Sequence, residues 1–219
     1  VSANRHWLPE TAGVNYVDFD QIAMIADAID RLRALGHEYI GFVTMEQSMA
    51  QAVKHLQDAA VRHLLTSGVA YPCLDYWVVG NKVTDLTEFG RAAVRQLMAL
   101  PKPPTAVVAW PLPIAEVFAE EMAGDGRRVP SDVSLVTVQL KGQASPFAAY
   151  EFDPGEVAQR LLSRLVDLHS QRVSSVRELV PYRFKTGPSL GAPPGVRGVQ
   201  PAGDQLVVSG GPKKGGFTL

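Results

Sequence analysis

The chain has few of the features that mark several large classes of protein. Its 219 residues include a single cysteine, Cys73, which excludes an internal disulfide framework and fits a reducing compartment. No apolar run approaches the roughly 20 residues that a membrane-spanning helix needs. Twenty-one basic and 22 acidic residues give a net charge of −1, so overall charge favours neither nucleic acid nor an anionic membrane as a partner.

Catalytic and cofactor motifs are missing as well. The sequence has no G-x-S-x-G elbow, no P-loop, no G-x-G-x-x-G after a strand and no H-E-x-x-H pair. We therefore expect no catalytic residue, no metal site and no cofactor. The first ten residues have neither the basic nor the apolar segment of a signal peptide, which predicts a cytoplasmic protein.

The chain does contain a regular alternation of short apolar runs and helix-period segments, in an ordinary globular composition of 46% hydrophobic and 20% charged residues. Between 104 and 138, a buried strand over 106–109 is followed by a helix over 114–122 and a second strand over 133–138. This order is typical of a parallel sheet flanked by helices, so the predicted fold class is α/β.

The same patterns continue on both sides of that unit. They predict further strands over 14–19, 39–44, 74–79, 148–152 and 178–184. Apolar residues at helical spacing predict further helices over 21–35, 49–67, 85–100 and 154–169. Gly36 stands where a helix ends in a left-handed residue.

Three segments carry a resemblance to a known family. The first is P-T-A-V at 104–107, which a helix separates from V-P-S-D-V-S at 129–134. The second joins V-D-F-D at 17–20 through a helix to L-G-H at 35–37, and the third joins 146–162 to E-L-V-P at 178–181. In this order they resemble the effector-binding domain of LacI/GalR-type transcriptional regulators. The resemblance implies a two-lobed, periplasmic-binding-protein-like domain with a Rossmann-like lobe, here truncated.

That topology predicts how the chain is divided. Residues 1–16 would be a remnant of the upstream lobe or a linker, and 17–150 the main effector-binding lobe. Residues 151–172 would form a helix of the other lobe, with a final strand in 173–190 returning to the main lobe. The Gly- and Pro-rich residues 191–219 would be a flexible tail. We also expect an exposed apolar surface where the missing lobe would pack.

The resemblance also marks where a ligand would bind. In the family a sugar or purine lies between the lobes, held by an Arg, an Asn-Asp pair, an Asp and a further polar residue. This sequence has His55 near the Arg position and Trp110-Pro111 in place of the Asn-Asp pair. The candidate ligand-binding residues are Asp20, His55, Trp110, Gln139 and Asp153.

Four of these candidates also have a structural interpretation. Asp20 would cap the helix that follows it, and Gln139 and Asp153 would be solvated residues at loop ends. Trp110 would either stack on a ligand ring or fill a site that is no longer used. Because the departures remove polar partners that sugar hydroxyls require, they favour a plugged or repurposed site over a sugar site.

The leading hypothesis is the ligand-sensing and dimerisation part of a LacI/GalR-type regulator with a non-standard effector site. Its partners would be a sugar- or nucleoside-like effector, a second copy in a homodimer, and operator DNA through a head domain outside this sequence, with no membrane. One alternative is a solute-binding receptor of the periplasmic type. Another is a regulator lobe that binds no small effector and serves protein–protein association.

Overall fold

A computed structural model describes residues 15–46, 50–66, 76–81 and 83–195. This part of the chain contains eight strands and five helices. The strands are β1 (Tyr16–Phe19), β2 (Ile40–Glu46), β3 (Trp77–Asn81), β4 (Ala106–Trp110), β5 (Ser134–Leu140), β6 (Ala148–Phe152), β7 (Arg177–Val180) and β8 (Arg183–Lys185). The helices are α1 (Gln21–Ala34), α2 (Ala50–Thr66), α3 (Leu86–Met98), α4 (Leu112–Gly124) and α5 (Pro154–His169).

Six strands form the main sheet, in the order β3-β2-β4-β5-β6-β8. The first five run parallel to one another, and β8 is antiparallel to β6. The predicted α/β class with a parallel sheet flanked by helices is thereby confirmed. The central strands are buried on both faces, as in β4, where four consecutive residues are inaccessible.

The two faces of the main sheet have separate cores. Phe42, Val108 and Tyr150 pack on one face with the apolar sides of α1 and α2. Val107 and Phe118 belong to the other core, which α3 and α4 cover. Because side chains alternate along a strand, neighbouring residues of β4 enter different cores.

A second, smaller sheet pairs β1 with β7 in parallel, with Val17 opposite Glu178. Helix α5 packs on this pair through an apolar cluster that includes Val17, Val157 and Val180. The sequence instead predicted one continuous strand over 178–184, whereas the structure has two strands there, β7 and β8. The strand is interrupted at Pro181, which has no N–H for a ladder, and only β8 joins the main sheet.

The position of the first strand also differs from the prediction. The prediction placed 17–150 in one lobe, whereas β1 pairs with β7 and not with any strand of the main sheet. The outward side of α5 is apolar and exposed, with Leu162 62%, Leu165 47% and Val166 57% accessible. An exposed apolar surface thus lies on the helix that was assigned to the other lobe. The division into lobes itself stays a prediction.

Residues 187–191 pack against the main sheet at the end where its parallel strands begin. His37 is buried there, with Nε2 2.9 Å from the Gly191 carbonyl oxygen and Nδ1 2.9 Å from the Thr105 hydroxyl. Burial lowers the pKa of His37. Gly191 was predicted to begin a flexible tail, but its N–H also donates to Ser134 Oγ. Residues 196–219, like 1–14, lie outside the described residues. No described helix is long and apolar enough to cross a membrane.

Candidate ligand-binding edge

Ligands of open α/β sheets bind outside the carboxyl ends of the strands. In this protein the five parallel strands of the main sheet end at one edge, which we call the C-terminal edge. Trp110 is the last residue of β4, Gln139 lies near the end of β5, and Asp153 directly follows β6. Asp20 follows β1 of the small sheet, and the side chain of His55 in α2 lies outside the described part of the chain.

Trp110 is a half-buried ring supported by other rings. It contacts Trp77 edge to face, with ring centroids 6.2 Å apart and an interplanar angle of 87°. Trp77 in turn stacks on Phe42, with centroids 4.4 Å apart. Both supporting rings belong to the core that α1 and α2 cover. Trp110 is therefore held in place from below, which leaves part of a large aromatic surface at the C-terminal edge.

Gln139 is only 2% exposed, so its prediction as a solvated loop-end residue is wrong. Its Nε2 donates to the Gln143 carbonyl oxygen at 2.9 Å and to Glu151 Oε1 at 3.1 Å. Its Oε1 accepts from Ser145 Oγ at 2.6 Å. The turn after β5 thus covers the Gln139 amide and is hydrogen-bonded to both its nitrogen and its oxygen. Strand alternation also places Gln139 and Trp110 on opposite faces of the sheet.

The two predicted aspartates both cap helices. Asp20 Oδ1 accepts from the Ala23 N–H at 2.9 Å at the start of α1, which confirms its structural interpretation. Asp153 Oδ1 accepts from the Gly155 N–H at 2.9 Å, and Oδ2 is 3.1 Å from Lys141 Nζ. The hydrogen bond from Lys141 is the largest cause that holds the pKa of Asp153 below its usual value.

A shallow depression lies at the end of β6. Its cavity volume is only about 10 Å³, against roughly 300–1,000 Å³ for a typical ligand pocket. Asp153 lines it together with Lys141, Glu156 and Arg183, while Trp110 and Gln139 do not. These four side chains pair with one another as Lys141–Asp153 at 3.1 Å and Arg183–Glu156 at 3.7 Å.

The C-terminal edge therefore differs in chemistry from a site built on free carboxylates. Within the ranges that the structure describes, no three His, Cys, Asp or Glu side chains are grouped so that they could hold a metal ion. The carboxylates of Asp20 and Asp153 are already bonded, and the amide of Gln139 is buried under its own turn. Among the predicted residues whose side chains are described, Trp110 alone presents surface without a local hydrogen-bonding role.

Sequence reasoning missed several aromatic residues near this edge. Trp77 supports Trp110, and three further rings, those of Phe19, Phe152 and Tyr182, meet where the two sheets join. Phe19, Phe152 and Tyr182 each end or directly follow a strand, and an aromatic residue at that place was the available signal, whereas Trp77 begins β3. That signal does not show which rings contact each other, because Phe19 is more than a hundred positions away from both Phe152 and Tyr182 in the sequence.

Comparison with known proteins places this architecture in a family. The family model described as a periplasmic binding protein-like domain matches residues 29–190. The transcriptional regulator CelR of Thermobifida fusca, described as of the HTH type, is 31% identical over 157 residues, which are 70% of this chain and 44% of CelR. The chain therefore spans less than half the length of that relative.

Solved structures show the same fold. A CelR–cellobiose complex is 26% identical, with a TM-score of 0.66 over 83% of this chain and 55% of that one. A LacI family regulator from Arthrobacter sp. FB24, solved with lactose, is 20% identical, with a TM-score of 0.61 over 83% of this chain and 68% of that one. The chain belongs to the periplasmic binding protein-like domain family, in the form that LacI-type transcriptional regulators use as effector-binding domain.

Proposed function

We propose that this chain is the effector-sensing and self-associating part of a LacI-type regulator whose effector site departs from the polar pattern of the family. The observation that carries the proposal is the state of the C-terminal edge. Gln139 is bonded to its own turn, Asp20 and Asp153 cap helices, and a half-buried Trp110 stands where the family has an Asn-Asp pair.

Such an edge favours a ligand with a flat apolar face. A sugar hydroxyl pair needs free acceptors, and a site that leaves hydroxyls unpaired loses affinity. An aromatic ring, in contrast, can stack on a nucleoside base or on the apolar face of a sugar ring. We therefore place a nucleoside-like effector, or a sugar bound mainly by stacking, on Trp110.

The remaining parts of the proposal concern the whole protein. Its relatives are transcriptional regulators, which supports operator binding through a head domain, a homodimer, a non-catalytic role and a place inside the cell with the DNA. CelR was solved with cellobiose, and a neighbour with lactose, so small carbohydrates are the natural first ligands to test against nucleosides. The same relatives support a regulator over a solute-binding receptor.

A second candidate function is a regulator lobe that binds no small effector. The observation in its favour is that Trp110 packs against Trp77 in the core of the α1 and α2 face. A ring placed so would fill the family's site and leave self-association as the role of the domain.

A ligand screen on three proteins tests these proposals. Wild type, Trp110→Phe and Trp110→Leu are melted with cellobiose, lactose, adenosine or sorbitol. A ligand at a hundred times its dissociation constant adds about 2.7 kcal/mol, which is roughly 5–10 °C for a domain of this size. We expect a shift with adenosine or with a carbohydrate in wild type and in Trp110→Phe, and none in Trp110→Leu.

The other outcomes decide between the candidates. A carbohydrate shift that survives in Trp110→Leu would show an ordinary polar site and refute the stacking proposal. No shift with any ligand, in a protein that melts cooperatively, would refute it as well and favour the lobe without an effector. Trp110→Phe is the matched control because it keeps a stacking ring while it removes the indole.

A further inference from the structure

We draw no further inference here: the strongest candidate, the apolar surface that Leu140 exposes at the C-terminal edge of the main sheet beside its strand partner Phe152, carries nothing, because nothing in the described part of the structure shows what covers it.

Discussion

Gly187 lies where the chain crosses the start of β6, and a methyl group cannot be added there. A Cβ at this position would lie 2.5 Å from the Ala148 nitrogen and 2.6 Å from the Phe147 carbonyl carbon. Both atoms belong to the backbone. Because β6 is paired with β5 on one side and β8 on the other, this backbone has little freedom to move away. Ser189 is also held in place, since its Oγ accepts from the Ala148 N–H at 2.8 Å.

Gly187→Ala is therefore expected to lower the free energy of unfolding. Overpacking of a rigid site costs roughly 1–3 kcal/mol and sometimes more, and contact with backbone on both sides places this change near the upper end, at about 3 kcal/mol. For a domain of this size that is a fall in Tm of roughly 6–12 °C. Urea unfolding followed by far-UV circular dichroism measures the free energy, and a thermal melt measures Tm.

Gly124→Ala is the matched control. A Cβ at Gly124, the last residue of α4, would meet nothing within 4 Å. Alanine favours a helix over glycine, so this variant should be unchanged or more stable by up to about 1 kcal/mol. If the free energy of unfolding of Gly187→Ala lies within about 0.5 kcal/mol of the wild-type value, residues 187–191 do not pack against β6 as closely as described.

Two further predictions concern buried polar groups. The pKa of His37 is lowered in the folded state. At a pH below the unfolded value of about 6.5, the unfolded chain therefore binds a proton that the folded chain does not. The free energy of unfolding consequently falls as the pH falls. In urea unfolding between pH 5 and 8, wild type should lose stability below pH 6.5 and His37→Gln should lose less; parallel curves would contradict this. Tyr150→Phe removes a hydroxyl that donates to Asp27 Oδ2 at 2.6 Å, and Arg31 Nε donates to the same oxygen. Its loss should cost about 1–3 kcal/mol in the same assay at pH 7.5, and Tyr39→Phe, at a more exposed ring, should cost less.

The parts of the fold that follow local rules could be predicted from the sequence. Helix α5 was predicted with its observed bounds, because an Asp N-cap, a Pro in the first turn and a 3.6-residue apolar period all lie within the segment. The buried strand β4 was equally clear from its uninterrupted apolar run. Such signals require no knowledge of what the segment packs against.

Strand partners could not be predicted in the same way. Residues 178–184 have the composition of one strand, and only the pairing of β7 with β1, some 160 residues away, divides them between two sheets. The site shows the same limit. Gln139 was predicted to be solvated because it lies at a strand end, but its burial depends on Ser145 and Glu151, whose placement is set by the turn and by β6. Local pattern therefore identifies which residues reach the C-terminal edge, but not which of them are still free to bind.

The end of β6 and the end of β4 have different roles although they share one edge and one face of the sheet. Phe152 and Trp110 both pack against the core of α1 and α2, but β5 separates their strands, which are thus about 10 Å apart. Effects at sites this far apart usually add. Substitution of Trp110 should therefore change the ligand response, whereas Phe152→Leu, which removes ring contacts with Phe19 and Tyr182, should change stability and leave that response intact.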